Sequence, residues 1–414
     1  MPDSNARLLQ IDALRGFALL GIFQINIIYF GQPYDLYHFP TLFGGHDGLN
    51  SLSWFYTTLF VEGSMYGLFS LLFGVSAMIL LDPRKLESHD GLATVDAYYR
   101  RMFWLIVFGL VHAYLLLSPM EVLYTYGVLG LLLFPLRNLS GQALLIVGGL
   151  LAAKGAFEWH IIGSAMASVI PYSGQNETVA AIVAELRLFH SDYLSIFREN
   201  LGVAYLWQTE LFFTDQLVDA GGLMLVGMGL YKLGIVTGQR SAGFYLSVAV
   251  SGYLVAWLMR APLAYDFYAS GFSPSEFEVQ PTEPMLLARL FLVMGHLGLL
   301  LWLFRLRVVP RLFSALAQAG RMALTNYLAQ TVFSILLFYG FGLGLFGRLE
   351  RYELLLLALV FGLGQLGFSM LWLSYFRFGP AEWLWRSLVM LKPQPLRQLP
   401  PPPATPPLDG GLTP

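Results

Sequence analysis

The residues of this chain that could do chemistry are polar and charged side chains set inside long apolar runs. Asp12 and Arg15 stand three apart near the start, and Gln24 and Asn26 follow in the same run. Glu62, just before Gly63, lies in a second run. His112 lies in a third, with Glu121 just past its end. Asp215 and Asp219, one helical turn apart, open a later run. Arg289 and His296, seven apart, fall on one helical face of another. Arg321, Asn326 and Gln330 lie together near the C-terminal end. A charge at the centre of a membrane helix costs roughly 2.5–3.5 kcal/mol on insertion scales, so such groups usually face protein and have partners. Neutral imidazole is a good general base near pH 7, which makes His112 a base candidate. A carboxylate such as Glu62 or Glu121 could orient it. Arg289 is a natural partner for Asp215, Asp219 or Glu62. Each also has a structural reading. Asp12–Arg15 fits an interfacial pair, Glu62 a buried ion pair, and His112 a hydrogen-bonded core residue.

The elements that must hold these groups follow from composition. Of 414 residues, 56% belong to the apolar and aromatic set and only 12% are charged. Mean hydropathy is +0.61. A soluble domain carries roughly 25% charged residues, so this chain cannot cover itself with a wetted surface. The net charge of −2 and the lack of a basic stripe argue against nucleic acid as a partner. With no cysteine, disulfides, zinc–thiolate sites and a Cys nucleophile are excluded. The histidines are too scattered for a metal site. No phosphate-binding GxxxxGK loop, HExxH, GxSxG or GxGxxG motif is present.

The expected fold is therefore all-α, a polytopic membrane helical bundle of about ten spans. The apolar runs are 12–31, 54–81, 102–118, 121–136, 141–160, 209–231, 241–260, 285–304, 318–341 and 352–376. The first is too long for a cleaved signal segment and reads as a retained helix. Lys and Arg cluster at 84–85, 100–101, 232–240, 305–311 and 377–397, all on one side if there are ten spans, which places both termini in the cytoplasm. Residues 32–53 form an outer loop containing His38 and His46. Residues 161–208 form an extracytoplasmic segment whose part 177–200 has the spacing of a helix lying flat on the membrane. Residues 393–414 read as a disordered Pro-rich tail. The glycines at 340–347 and 362–367 fit close helix packing. Under this topology Asn26, Glu62, His112, Asp215, Asp219, Arg289 and His296 share the middle and outer half, which predicts one polar cavity open to the outside.

Several segments carry a family resemblance. Asp12-Ala13-Leu14-Arg15-Gly16-Phe17 with Asn26, Val61-Glu62-Gly63, and Gly109-Leu110-Val111-His112 with Glu121 occur in the order found in the YeiB-like family of bacterial inner-membrane proteins. Gly320-Arg321-Met322-Ala323-Leu324-Thr325-Asn326-Tyr327 and Gly379-Pro380-Ala381-Glu382-Trp383-Leu384-Trp385-Arg386 resemble its C-terminal domain of unknown function, number 418. Glu121 stands where that family usually has Asp. Ser64 and Met65 stand where a Lys and an aromatic are common. The resemblance divides the chain into an N-terminal half (1–160), the extracytoplasmic segment (161–208), a YeiB-like membrane domain (209–392) and the tail (393–414). The N-terminal half is similar to the transmembrane acyltransferase superfamily, whose members pass an acyl group from cytoplasmic acyl-CoA to an acceptor on the far side.

That similarity implies a mechanism and its residues. His112 or His38 would be the base, Glu62 or Glu121 would orient it, and Asn26 would donate to the oxyanion. Arg15, Arg100, Arg101 and Arg321 would meet the phosphates of CoA. Asp215, Asp219, Arg289, His296 and Asn326 would bind substrate. The implied partners are membrane lipids and a small-molecule, lipid or glycan acceptor, with a homo-oligomer left open. The same intramembrane charges also fit a proton-coupled transporter of a small solute. A non-catalytic assembly protein, recruiting its partner through the tail, is the third reading.

Overall fold

The structure, a computed structural model, describes residues 4–38, 40–42, 47–81, 91–154, 175–272 and 282–398. In chain order its helices are α1 (Ser4–Gly31), α2 (Tyr34–His38), α3 (Leu49–Tyr56), α4 (Ser64–Leu80), α5 (Gly91–Tyr114), α6 (Leu123–Leu136), α7 (Gly141–Lys154), α8 (Gln175–Phe189), α9 (Tyr193–Gln208), α10 (Leu217–Lys232), α11 (Ala242–Ala269), α12 (Thr282–Arg305), α13 (Pro310–Arg321), α14 (Ala323–Phe338), α15 (Arg351–Tyr375) and α16 (Pro380–Val389). No strand occurs among the described residues beyond one bridge between Phe376 and Arg397. Six helical stretches are long and apolar enough to cross a membrane: Leu9–Gly31, Leu49–Leu80, Tyr193–Lys232, Ala242–Ala269, Pro284–Arg305 and Arg351–Tyr375. The shorter apolar helices α6, α7 and α14, together with α5, occupy the other four runs. The fold is an all-α membrane helical bundle.

Glycine sets how closely its helices approach. A Cβ on Gly16 would stand 2.0 Å from the Leu316 carbonyl oxygen, and one on Gly320 would stand 1.9 Å from that of Asp12. The pairs 16/316 and 12/320 run in opposite directions, so α13 crosses the start of α1 antiparallel with backbone against backbone. Gly74 and Gly227 do the same for α4 and α10, against the Met224 and Leu71 carbonyls. Of the glycines picked out from the sequence, Gly364 and Gly367 meet nothing within 4 Å, whereas a Cβ on Gly340, in the turn after α14, would stand 2.2 Å from the His190 carbonyl oxygen, and one on Gly362 would stand 3.3 Å from Leu20.

Four expected segments depart from a simple span. The second run is broken. After α3 the chain makes one wide π turn (Thr57–Val61), then leaves the helix at Glu62 and Gly63, where Gly63 takes φ 69°. His296 of α12 braces this break, with Nε2 2.8 Å from the Phe60 carbonyl and 3.3 Å from Ser64 Oγ. The ninth run is two helices. It breaks at Met322, so Arg321 ends α13 and Asn326 begins α14. Asn326 Nδ2 ties the halves together by donating to the Ala319 carbonyl (3.2 Å) and to Ser369 Oγ of α15 (3.0 Å). The surface helix expected over 177–200 is divided at 190–192, where the Asp192 side chain caps α9 by accepting from Leu194 N and Ser195 N. Helix α9 then continues through a second π turn (Phe212–Gln216) into α10, so the sixth span begins earlier than 209. Finally, residues 393–398 fold back on α15, with Arg377 N donating to the Leu396 carbonyl (2.9 Å) and Gln398 N to that of Tyr375 (3.2 Å). The remainder of the expected tail lies outside the described residues.

Candidate functional site: an arginine-mouthed apolar cavity beneath a buried histidine

A cavity of about 170 Å³ lies between α1, α4, α5, α6, α13, α14 and α16. Its depth can be read from the chain. On α1 the lining runs from Arg15 to Ile22, seven residues, or roughly 10 Å at 1.5 Å per residue. Arg15, Ser76, Arg101, Arg321, Glu382 and Trp385 form one end. The middle is apolar, walled by Leu19, Phe73, Met102, Leu105 and Leu324. Val122, Tyr126 and Tyr327 close the far end.

The polar end is strongly cationic. Arg15 donates to Asp12 Oδ1 (2.6 Å) and to Ser76 Oγ (2.8 Å), which aims it across to α4. The Arg101 guanidinium lies 3.9 Å over the Trp385 ring, and Trp385 Nε1 donates to the Arg101 carbonyl (3.1 Å). Arg101 feels the charges of Arg15 and Arg386, and Arg386 those of Arg321 and Arg377. Five guanidiniums thus gather where Glu382 is the carboxylate in the lining. Glu382 is already engaged, accepting from Thr325 N (3.0 Å) and Thr325 Oγ1 (2.6 Å) at the start of α14. Burial pushes its carboxyl up, and the Thr325 bonds oppose that. A concave, low-dielectric mouth with excess positive charge focuses field on an anion. The four CoA-contact arginines expected from the resemblance do not all arrive there. Arg15, Arg101 and Arg321 line the cavity, whereas Arg100 pairs with Asp96 (2.9 Å) outside it.

His112 sits one layer beyond the closed end. Its ring packs against Tyr327 at 4.9 Å between centroids, the planes tilted by 58°. Nε2 is 2.8 Å from Thr331 Oγ1, and Nδ1 is 3.8 Å from Glu121 Oε2 with no hydrogen-bond partner of its own. His112 is 0% and Glu121 1% exposed. Glu121 is held by the first turn of α6, accepting from Leu123 N (2.6 Å) and Tyr124 N (2.9 Å).

The other expected site residues do not line this cavity, and Glu62, Asp219, Arg289 and His296 gather instead around the helix break at Glu62 and Gly63. Arg289 pairs with Asp219 (2.6 Å), with Asp215 one turn away on the preceding π turn. Glu62 faces Tyr37 at the outer end of the bundle, where Arg260 and Arg351 lie within electrostatic reach. Arg260 itself is buried and satisfied by carbonyls: Thr58 (2.7 Å), Glu62 (3.1 Å) and Met285 (3.1 Å). His296 accepts at Nδ1 from the Tyr253 hydroxyl (2.7 Å), since Nε2 must carry the proton that meets the Phe60 carbonyl. It holds structure together and has no lone pair left for a substrate. Asn26 is half-buried, while the side chain of His38, at the end of α2, and residue His46 lie outside the described residues.

Sequence reasoning missed Arg260, Arg351, Glu382, Trp385 and Thr331 as members of polar clusters. The signal for Glu382 and Trp385 was present. The two motif segments around Arg321 and Glu382 meet through Thr325. For Thr331 there was none, because a lone hydroxyl in an apolar run is common.

Fold and site together define an integral-membrane helical bundle with an arginine-mouthed internal cavity. Comparison with known proteins places it more closely. A family model described as a protein of unknown function (DUF418) matches residues 230–392. The chain is similar to the uncharacterized protein YeiB of Escherichia coli (strain K12), 30% identical over 400 residues that cover 92% of this chain and 95% of the relative. It is also similar to the uncharacterized protein YxaH of Bacillus subtilis (strain 168), 28% identical over 416 residues, 95% of this chain and 96% of the relative. The chain belongs to the YeiB-like DUF418 family. No solved structure matches it.

Proposed function

We propose that this protein is an acyltransferase of the bacterial inner membrane, spanning it several times with both termini in the cytoplasm. It takes a short acyl group from cytoplasmic acyl-CoA and passes it to an acceptor at the outer side or within the membrane. The observation that carries this is the convergence of Arg15, Arg101 and Arg321, from three separate helices, on one end of a cavity whose other end, at Tyr327, packs against His112. CoA phosphates meet the arginines, the pantetheine arm lies along the cavity, and the thioester reaches Tyr327. His112, backed by Glu121, then serves as base for the acceptor.

Melting curves of the detergent-purified protein with CoA, acetyl-CoA and palmitoyl-CoA test this. Binding to the folded state at 100 times the dissociation constant stabilises by about 2.7 kcal/mol. CoA and acetyl-CoA should shift the curve, and Arg101→Ala should abolish most of the shift. A shift with palmitoyl-CoA alone would put the acyl chain in the cavity, turn the thioester away from His112 and sink the transfer reading.

A second reading has its own support. Asp215, Asp219, Arg289, Arg260, Glu62 and Arg351 form a chain of buried and half-buried charges toward the outer end of the bundle. Such a chain suits a proton-coupled solute transporter. Saturable counterflow in proteoliposomes without covalent change of the solute would favour it.

A further inference from the structure

From the arrangement around His112 we infer that Thr331 is a nucleophile, and that the protein works through a covalent acyl-threonine. This rests on the acyltransferase reading above. Thr331 Oγ1 on α14, His112 near the end of α5 and Glu121 in the turn before α6 stand in the order nucleophile, base, orienting carboxylate. The hydroxyl is 2.8 Å from Nε2, within range for direct proton transfer. On the other side of the ring, Nδ1 is a buried nitrogen without a hydrogen-bond partner, and Glu121 Oε2 stands 3.8 Å away. A resting core histidine normally satisfies both nitrogens, as His296 does here through Phe60 and Tyr253. The Nδ1–Glu121 separation leaves room for that bond to shorten when the ring becomes cationic. The site also adjoins the cavity. Tyr327, one turn before Thr331 on α14, both lines the cavity and packs against His112. Rotation of Tyr327 brings the cavity's end onto Thr331.

The steps balance without any further reagent. Thr331 Oγ1 attacks the thioester carbonyl carbon while its proton passes to His112 Nε2. The C–S bond breaks, and the Nε2 proton leaves with the CoA sulfur. An acceptor hydroxyl or amine then gives its proton to Nε2 and attacks the threonyl ester. The Oγ1–C bond breaks, and Oγ1 recovers the proton. Glu121 acts as a positioning residue that stabilises the cationic ring at each step.

The test uses the full-length protein with two probes: acetyl-CoA, and an alkyl fluorophosphonate, which captures activated hydroxyls without needing a CoA site. Intact mass and peptide mapping read the adduct, and melting curves check the fold of each variant. The expected result is one adduct on the peptide containing Thr331. It should be lost in Thr331→Val and in His112→Ala, retained in Thr331→Ser, and formed at least tenfold faster in Tyr327→Ala. Fluorophosphonate labelling of Thr331 with no response to acetyl-CoA would leave the nucleophile standing and overturn the donor. Binding of acetyl-CoA with no adduct from either probe would overturn the nucleophile and leave the donor site standing. Equal labelling of wild type and Thr331→Val would also overturn it.

Discussion

Arg289 and Asp219 show how a charge survives inside this bundle. Their contact is 2.6 Å long, and both side chains are nearly sealed from solvent. Removing one partner strands the other, which typically costs about 3–5 kcal/mol. Arg289→Ala should therefore lower the melting temperature sharply. The double variant Arg289→Met with Asp219→Leu should recover much of the loss, because an apolar pair leaves no unpaired charge. If the single and double variants melt alike, the pair carries no such coupling. Gly63 is a second single-residue case. Its φ of 69° favours glycine, and a Cβ there would lie 3.2 Å from Arg289 Cδ. Gly63→Ala should destabilise by about 1–2 kcal/mol in a melting experiment.

At the scale of elements, the crossing of α1 and α13 depends on absent side chains. Gly16 and Gly320 each face a backbone carbonyl that cannot rotate away, unlike a side chain. Gly320→Ala should cost at least the 1–3 kcal/mol usual for overpacking. It should also weaken CoA binding, because Gly320 and Arg321 line the cavity mouth. Helix α14 begins within the protein, so its first amides need an acceptor. Glu382 of α16 supplies one across 57 residues of chain by accepting from Thr325. Loss of a cap costs about 0.5–2 kcal/mol, so Glu382→Ala should lower stability by that amount. The conservative Glu382→Gln should retain part of it. An unchanged melting curve in Glu382→Ala would show that α14 starts without this cap.

At the scale of the whole molecule, orientation is the property to test. His190 lies at the end of the bundle where α1 finishes, since Gly340 N bonds to Phe189 O and Gly347 N to Gly31 O. Arg305, at the end of α12, lies at the opposite end, where it donates to the Gly238 carbonyl beside Gln10 of α1. The chain has no cysteine, so single replacements report cleanly. In intact cells a membrane-impermeant maleimide should label His190→Cys, and should label Arg305→Cys only after permeabilisation. The reverse pattern would move the arginine mouth to the outer face and remove its access to cytoplasmic CoA.

The sequence by itself determined the class of the fold, because hydropathy and helical period act over one run at a time. An all-α reading needs no partner to be known, and among the described residues each of the ten runs is mainly helical, six of them within stretches long and apolar enough to cross a membrane. The Asp12–Arg15 pair was equally legible, since a spacing of three fixes it within one helix. The choice among Asp215, Asp219 and Glu62 for Arg289 was not, because it depends on how α10 turns against α12. Tertiary structure alone brought Thr331 within 2.8 Å of His112 across 219 residues, and Glu382 onto Thr325. It also set His112 beside Thr331 and Glu121, and Asp219, Arg289 and His296 around the Glu62–Gly63 break, where depth along the spans had grouped them all into one outer cavity. Depth is a property of a single helix, but facing depends on the rotation of each helix against its neighbours. Here that rotation is set by close backbone contacts at Gly16, Gly74, Gly227 and Gly320, which no periodicity in the sequence reveals.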